Sequence, residues 1–276
     1  QFLNGYLEAD PFNEIAWHQL GRQYVSKGLL KQALSSYDFA IICDYEFIGA
    51  YFEMGKTLQR MKRYNEAILA FERTLSIDEP TPFALLHIGL CHIELSNTKL
   101  AVQYFKKTLI EDPLYEKAWV ALIDAYRDNK DYEKALYYAK KSIHIDNVNA
   151  TTWKKYAEIN FTLGLFEEAD IGFQECVNLG NYEVDTWVKW ADVLKEMHDY
   201  PRAIEVLQHG LEFHTESSVI NFRLGGIYLL SSQSLEASFY LKNAYIADEK
   251  QLNHFYETFP QFKSSSFVKQ SLSLKV

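Results

Sequence analysis

WHQLGRQY, at residues 17–24, is the stretch of the sequence that decides the fold. Its apolar residues are spaced i, i+3, i+4 and i+7, so they share one face of a helix; they are Trp17, Leu20, Gly21 and Tyr24. A second stripe with the same spacing follows, and it consists of Leu30, Ala33, Leu34 and Tyr37. The two stripes predict a pair of helices that pack through small and aromatic side chains.

The helix pair recurs with a period of 34 residues, which is marked by Ala33, Ala67, Ala101, Ala135, Ala169, Ala203 and Ala237. A fixed period of this length indicates one supersecondary unit repeated along the chain. The repeats begin at Glu14, Ile48, Pro82, Glu116, Ala150, Val184 and Ser218. Position eight is small in every repeat except the fourth, which has Ile123, and position four is large in every repeat except the seventh, which has Asn221. The pattern predicts an all-α fold of seven full helix-turn-helix repeats.

The turn inside each repeat is short and polar. Gly28 and Gly164 suit the left-handed conformation that ends a helix. Repeats three and seven have serine-rich turns instead, at residues 96–98 and 231–234. We expect looser local packing at these two turns.

These residues resemble the tetratricopeptide repeat, whose W-x2-L-G-x2-Y…A…F…A pattern is matched by residues 17–40. Trp119, Leu122, Tyr126 and Ala135 match it again in repeat four, and Pro11 and Pro113 occupy the family's inter-repeat proline position. The resemblance covers residues 14–251. It implies an α-solenoid, a right-handed superhelix whose first helices line a concave groove for a protein or peptide partner.

The whole chain, 1–276, is expected to be a single solenoid. Residues 1–13 are predicted to be the second helix of a truncated repeat, 14–251 the seven full repeats and 252–276 a C-terminal cap with a last helix near Phe267–Leu274. Since the sequence does not begin with methionine, we expect a natural N-terminus further upstream, where a signal peptide could lie.

Composition restricts the function. The net charge of −9 and the pI near 5.4 argue against nucleic acid, which needs a basic surface. No apolar run is long enough to span a membrane, so a cytoplasmic location is expected. Cys43, Cys91 and Cys176 lie in different repeats and are expected to be buried and reduced. The acidic composition and the stop at residues 257–260 resemble long acidic bacterial tetratricopeptide proteins.

No arrangement of residues predicts an enzyme. The one compact donor cluster is His87, Cys91 and His92, but His92 occupies an interior position and no further ligand follows, so satisfied or surface residues are favoured over a metal site. No glycine-rich phosphate loop or catalytic motif is present. We therefore expect neither a cofactor nor catalysis.

The predicted function is binding of a peptide or protein segment in the groove. The first-helix positions expected to face it include the apolar residues Phe52, Phe83, Leu86, Leu90, Ile93 and Phe222. They also include the basic residues Arg22, Lys56, Lys154, Lys189 and Arg223, the last three of which would orient carboxylates. The alternative for each residue is packing against a neighbouring repeat or the capping segment, with the charges forming a solvated face.

Other functions are kept open by the same residues. Tetratricopeptide co-chaperones hold a terminal carboxylate with a basic clamp, and its nearest match here is Lys154, Glu158, Lys189, Val219 and Arg223. Glu158 would repel a carboxylate and Val219 lacks a charge, so the match is poor. Two alternative functions remain. The chain would be a targeting or regulatory arm of an enzyme or co-chaperone whose other domain lies upstream, or it would be a scaffold that self-associates into homo-oligomers.

Overall fold

The computed structural model describes residue 7 and residues 9–272, and within this part of the chain it contains helices and no strand. The first helices of the seven repeats are α1 (Glu14–Ser26), α3 (Ile48–Arg60), α5 (Pro82–Glu94), α7 (Glu116–Asp128), α9 (Ala150–Thr162), α11 (Val184–Glu196) and α13 (Ser218–Leu230). The second helices are α2 (Leu30–Cys43), α4 (Tyr64–Ile77), α6 (Thr98–Glu111), α8 (Tyr132–Ile145), α10 (Phe166–Asn178), α12 (Tyr200–Phe213) and α14 (Ser234–Ala247). Two short helices follow, α15 (Leu252–Thr258) and α16 (Ser266–Ser271). The all-α prediction is confirmed.

Small residues control how closely the two helices of a repeat approach. The position-twenty alanines, Ala33 to Ala237, are all fully buried. At position eight, a Cβ added to Gly89 would lie 2.5 Å from the ring of Phe105, which is the position-twenty-four residue of the same repeat. The ring therefore occupies the volume that a side chain on the first helix would need.

All seven internal turns adopt one conformation. The fifteenth residue of every repeat has a positive φ, including Gly28 at 76° and Gly164 at 74°. Ser96 and Ser232 have φ of 60° and 64°, so the serine-rich turns of repeats three and seven have the same left-handed backbone. The amide of the next residue, such as Asn97, donates to a carbonyl five residues earlier in each case. The serine-rich turns thus share the backbone hydrogen bonds of the other turns, because these bonds are independent of the side chain, and looser packing of their side chains stays a prediction.

The described residues form two compact units, unit 1 up to Tyr138 and unit 2 from Ala139, with the boundary inside α8. In unit 1, successive helices from α1 to α7 pack in sequence order. Its buried clusters are small and local; one contains Leu7, Ala16 and Leu20, and another is built around Phe71 and Ile88.

Unit 2 contains one continuous core that extends from Ala157 to Leu272. Its last part comes from the tail segment, residues 252–272, whose Phe255, Phe259 and Val268 are buried in that core. Helix α16 begins at Ser266 and is capped by the Ser265 hydroxyl, so it starts one residue before the predicted helix. The rest of that prediction, residues 273–276, and most of the predicted helix at 1–13 lie outside the described residues.

Candidate functional site

The first-helix patch of unit 1 comprises Phe52 on α3 with Phe83, Leu90 and Ile93 on α5. All four are half-buried apolar side chains. The ring centroids of Phe52 and Phe83 are 4.5 Å apart, so the first helices of repeats two and three are joined by an aromatic contact. The Lys56 ammonium lies 5.5 Å from the Phe52 centroid, which allows a cation–π contact at the edge of the patch.

His87 supports the aromatic end of this patch. Its ring stacks on Phe83 with the centroids 4.1 Å apart, and its Nδ1 lies 2.7 Å from the side-chain oxygen of Gln59. Burial, followed by the charges of Lys56 and Lys117, lowers the pKa of His87 to about 4. The imidazole is therefore neutral at physiological pH and forms part of an apolar surface.

The aliphatic end of the patch opens into a pocket of about 360 Å³ between repeats three and four. Leu90 and Ile93 form one wall, and Ala121 and Ala125 of α7 form the other. The rim is acidic, with Asp124 and Asp128 among its residues. Arg127 pairs with both carboxylates, at 2.8 and 3.0 Å, so these three side chains together carry one net negative charge. A volume of this size and lining can hold an apolar side chain.

Leu86 and Phe222 are not available to a ligand, which corrects the sequence prediction. Leu86 is only 2% exposed and Phe222 only 3% exposed. Both occupy position five of a first helix, from which the side chain packs against the next repeat or, after repeat seven, against the tail segment. Leu86 shares a cluster with residues of α7, and Phe222 lies 5.6 Å from the ring of Phe255 in the tail segment.

The two basic residues predicted in unit 1 lie in different surroundings. Arg22 is exposed on α1. Lys56 is half-buried and pairs with Glu53 at 3.0 Å on its own helix. A partly exposed pair of this kind contributes little to stability, and it leaves the Lys56 ammonium close to the first-helix patch.

Lys154 and Lys189 of unit 2 are already bound to carboxylates of the same chain. The Lys154 ammonium lies 2.7 Å from Glu183 and 3.0 Å from Asp185. The Lys189 ammonium lies 2.7 Å from Glu158 and 2.9 Å from the same Asp185. Burial opposes the charged form of each lysine, but the hydrogen bonds outweigh it and raise the pKa of both. Because three carboxylates surround two ammonium groups, this network does not offer a positive site to a ligand carboxylate.

Arg223 is likewise enclosed. It is 7% exposed and lies 3.2 Å from Asp192 of α11, which makes the two a buried ion pair. Burial raises the pKa of Asp192, and the charge of Arg223 opposes that rise. The pairing of Lys154, Lys189 and Arg223 within the chain argues against the prediction that they orient a partner's carboxylate. Spacing alone cannot show which acids the fold brings to each base.

The tail segment covers the first-helix face of repeat seven, which is the alternative that the sequence analysis kept for Phe222, namely packing against the capping segment. The Phe259 ring packs directly on Gly226 of α13 and lies 5.9 Å from the Arg223 guanidinium. Gly226 occupies position nine, where the other repeats have Arg22, Lys56, Leu90, Asp124, Glu158 and Asp192. The single glycine at this position was the available signal, since glycine permits close approach of another group.

The donor cluster of the sequence analysis is divided among separate partners. His87 contacts Gln59 and Phe83, Cys91 accepts a hydrogen bond from the Gln59 amide at 3.0 Å, and His92 stacks on Tyr104. In the described part of the chain, no group of three potential metal ligands comes together. All three cysteines are free thiols; Cys91 and Cys176 are buried as expected, whereas Cys43 is half-buried.

Comparison with known proteins supports the repeat assignment. Family models described as tetratricopeptide repeat match residues 48–81 and 97–150. A TPR repeat-containing protein of Bacillus subtilis, YpiA, is 22% identical over 270 residues, which is 97% of this chain and 63% of that protein. Human superkiller complex protein 3 is 30% identical over 114 residues, 39% of this chain and 7% of that protein. The chain thus spans less than two thirds of these relatives, which come from both bacteria and animals.

Solved structures show the same fold at low identity. The C-terminal part of a TPR repeat-containing protein from Cytophaga hutchinsonii aligns with a TM-score of 0.70 at 12% identity, and the alignment covers 92% of this chain and 99% of that one. YrrB, described as a TPR protein with an unusual peptide-binding site, aligns with a TM-score of 0.51 at 18% identity over 65% of this chain and 93% of that one. No helix among the described residues is long and apolar enough to cross a membrane. The family models thus identify tetratricopeptide repeats at residues 48–81 and 97–150, and the other 34-residue helical hairpins of this chain resemble them.

Proposed function

We propose that this chain is a non-catalytic interaction module whose first-helix patch in unit 1 binds a peptide or protein segment. Tetratricopeptide repeats are generally protein-interaction modules, which supports the class of partner. The observation that carries the proposal is the run of half-exposed apolar side chains from Phe52 to Ile93. Apolar groups that remain accessible on one contiguous surface commonly mark a contact with another molecule.

The shape of the patch favours an extended or helical segment with two apolar anchors. One anchor would lie against the stacked rings of Phe52 and Phe83, and the other would enter the pocket beside Leu90 and Ile93. A few buried anchors of this kind carry most of the affinity in a typical interface. The basic residues of unit 2 have no part in the proposal, because they are paired within the chain. The partner is a cytoplasmic protein in this proposal.

A pull-down tests the patch with a matched control. Leu90→Glu with Ile93→Glu places two charges at the pocket wall, whereas Leu69→Glu with Ile110→Glu places two charges on well-exposed apolar positions of the second helices in the same unit. We expect the wild type and the Leu69→Glu, Ile110→Glu control to retain partner proteins that the Leu90→Glu, Ile93→Glu variant loses. Circular dichroism should show equal helicity in all three proteins. Recovery of the same proteins by all three would exclude the patch as the contact.

Two alternatives stay predictions. A targeting or regulatory arm of an enzyme or co-chaperone would be recognised by a catalytic or chaperone domain in the same polypeptide. A self-associating scaffold would show a sedimentation coefficient that rises with concentration, whereas the proposed module would sediment as a monomer.

A further inference from the structure

The fourth position of a repeat has a defined site for an aromatic ring. In repeat one, Trp17 stacks on Phe39, the position-twenty-six residue, with the centroids 4.6 Å apart. Its indole N–H donates to the carbonyl of the residue six positions earlier, Pro11, at 2.9 Å. The tryptophans of repeats four and five donate to the equivalent carbonyls, those of Pro113 and Asn147, at 2.8 Å each.

Repeat six shows the remaining walls of this site. Trp187 stacks on Phe213, the position-thirty residue of its own repeat, with the centroids 6.0 Å apart. It also stacks on Tyr182, the position-thirty-three residue of the preceding repeat, at 6.4 Å. An aromatic residue at position four is thus enclosed by positions twenty-six and thirty of its own repeat and by the end of the repeat before it.

Repeat seven has no ring at position four, and non-aromatic residues occupy the three positions that supply stacking rings in repeats one and six. Position four is Asn221, whose amide turns back and donates to the Ser217 carbonyl at 2.9 Å. Asn221 lines a cleft of about 610 Å³. The residues at the wall positions, Asn243, Ala247 and Glu216, all line this cleft. We call it the repeat-seven cleft.

The remaining lining is suited to an indole. Thr215 lies six positions before Asn221 and lines the cleft, so its carbonyl corresponds to the acceptors used by Trp17, Trp119 and Trp153. Phe239 and Ile246 also line it, and they are 58% and 83% exposed. Surface side chains this apolar, beside an opening of this size, provide the apolar walls of a binding pocket.

We propose that the repeat-seven cleft binds a tryptophan side chain presented by a segment of a partner protein. The ring would take the place that Trp17, Trp119 and Trp153 take in their own repeats, and its N–H would donate to the Thr215 carbonyl. Glu216 is the one charged residue that lines the cleft, so a lysine or arginine beside the tryptophan would complement it. This site lies on unit 2 and is independent of the first-helix patch on unit 1.

Synthetic tripeptides test the site directly. The probe is N-acetyl-Lys-Trp-Lys-amide, with the Lys-Ala-Lys and Lys-Phe-Lys peptides beside it, titrated into protein with labelled isoleucine methyl groups. We expect the Ile246 methyl signal to shift saturably with the tryptophan peptide, less with the phenylalanine peptide because it lacks the N–H donor, and not with the alanine peptide.

Three variants distinguish binding in the repeat-seven cleft from non-specific binding to apolar surface residues. Asn221→Trp fills the cleft from within, and we expect it to weaken peptide binding by about tenfold or more. Phe239→Ala removes an exposed wall without disturbing the core, and it should weaken binding even if the first variant folds poorly. Leu235→Ala changes another exposed apolar residue of α14 that does not line the cleft, and it should bind as the wild type does.

The outcomes discriminate among occupants. Absence of a saturable Ile246 shift, or equal binding by the wild type and Asn221→Trp, would overturn the proposal. A concentration-dependent dimer that Asn221→Trp abolishes in sedimentation would also overturn it, by showing that a second copy fills the cleft. The Leu90→Glu, Ile93→Glu protein should bind the tripeptide normally, so failure of this inference is distinguishable from failure of the proposed function.

Discussion

Exchanging the volumes of Gly89 and Phe105 tests how each repeat is packed. The Phe105 ring is fully buried, and a Cβ on Gly89 would lie 2.5 Å from it. Repeat four has the opposite volumes at the same two positions, Ile123 at eight and Ala139 at twenty-four, and both are fully buried. We predict that repeat three can be converted to the arrangement of repeat four, because total volume is conserved.

The single changes should be costly and the double change mild. Phe105→Ala leaves a cavity and should lower the free energy of unfolding by about 3–5 kcal/mol. Gly89→Ile forces side-chain atoms into the ring and should lower it by about 1–3 kcal/mol or more. In the double variant the new isoleucine fills the space left by the ring, so the loss should fall to about 2 kcal/mol, below the larger single effect.

Hydrogen exchange measured by mass spectrometry reports the effect locally. Peptides from α5 and α6 should exchange faster in each single variant and return toward wild-type rates in the double variant. Peptides from α13 and α14 in unit 2 serve as the internal control and should be unchanged. Losses that simply add in the double variant would refute the reasoning, because they would show that the two residues do not share one space.

Two further predictions concern buried titratable groups. Burial lowers the pKa of His87 to about 4, so as the pH falls from about 6.5 the unfolded chain binds a proton before the folded chain does. The free energy of unfolding of unit 1 should therefore fall by up to about 2 kcal/mol by pH 4, after allowance for partial exposure. Urea denaturation should show a smaller fall in His87→Gln and the full fall in His209→Gln, an exposed control. Arg223→Met removes the nearest charge partner of the buried Asp192 and leaves the Lys195 ammonium at 3.9 Å and the charge of His254 to favour its ionised form. We expect this variant to destabilise unit 2 by about 3 kcal/mol in thermal unfolding, and we expect the addition of Asp192→Leu to restore most of the loss. If Arg223→Met is as stable as the wild type, the ion pair of Arg223 and Asp192 is solvated and the reasoning is refuted.

The sequence predicted the repeats well because their packing is periodic. Ala101 and its six counterparts are all small because each is buried where the two helices of a repeat approach each other. The seven copies are therefore seven independent indications of the same packing. The backbone of the turns was less evident from the residue types. Ser96 and Ser232 lack the usual glycine, yet they adopt the same left-handed backbone, because the helices on both sides fix the turn.

The candidate site was harder to predict, because accessibility depends on neighbours that the period does not specify. Phe52, Leu86 and Phe222 share position five, but only Phe52 stays half-exposed. The other two are covered by α7 and by the tail segment. The charge of Lys189 was visible in the sequence, whereas its pairing with Glu158, 31 residues away, required the fold.

Gly226 has a consequence for how much of unit 2 another molecule can reach. The Phe259 ring rests on this residue because no side chain intervenes. A leucine there, as repeat three has in Leu90 at the same position, would occupy the volume of that ring and displace the end of the tail segment. A single substitution would thus uncover the first-helix face of repeat seven without altering any of the fourteen repeat helices.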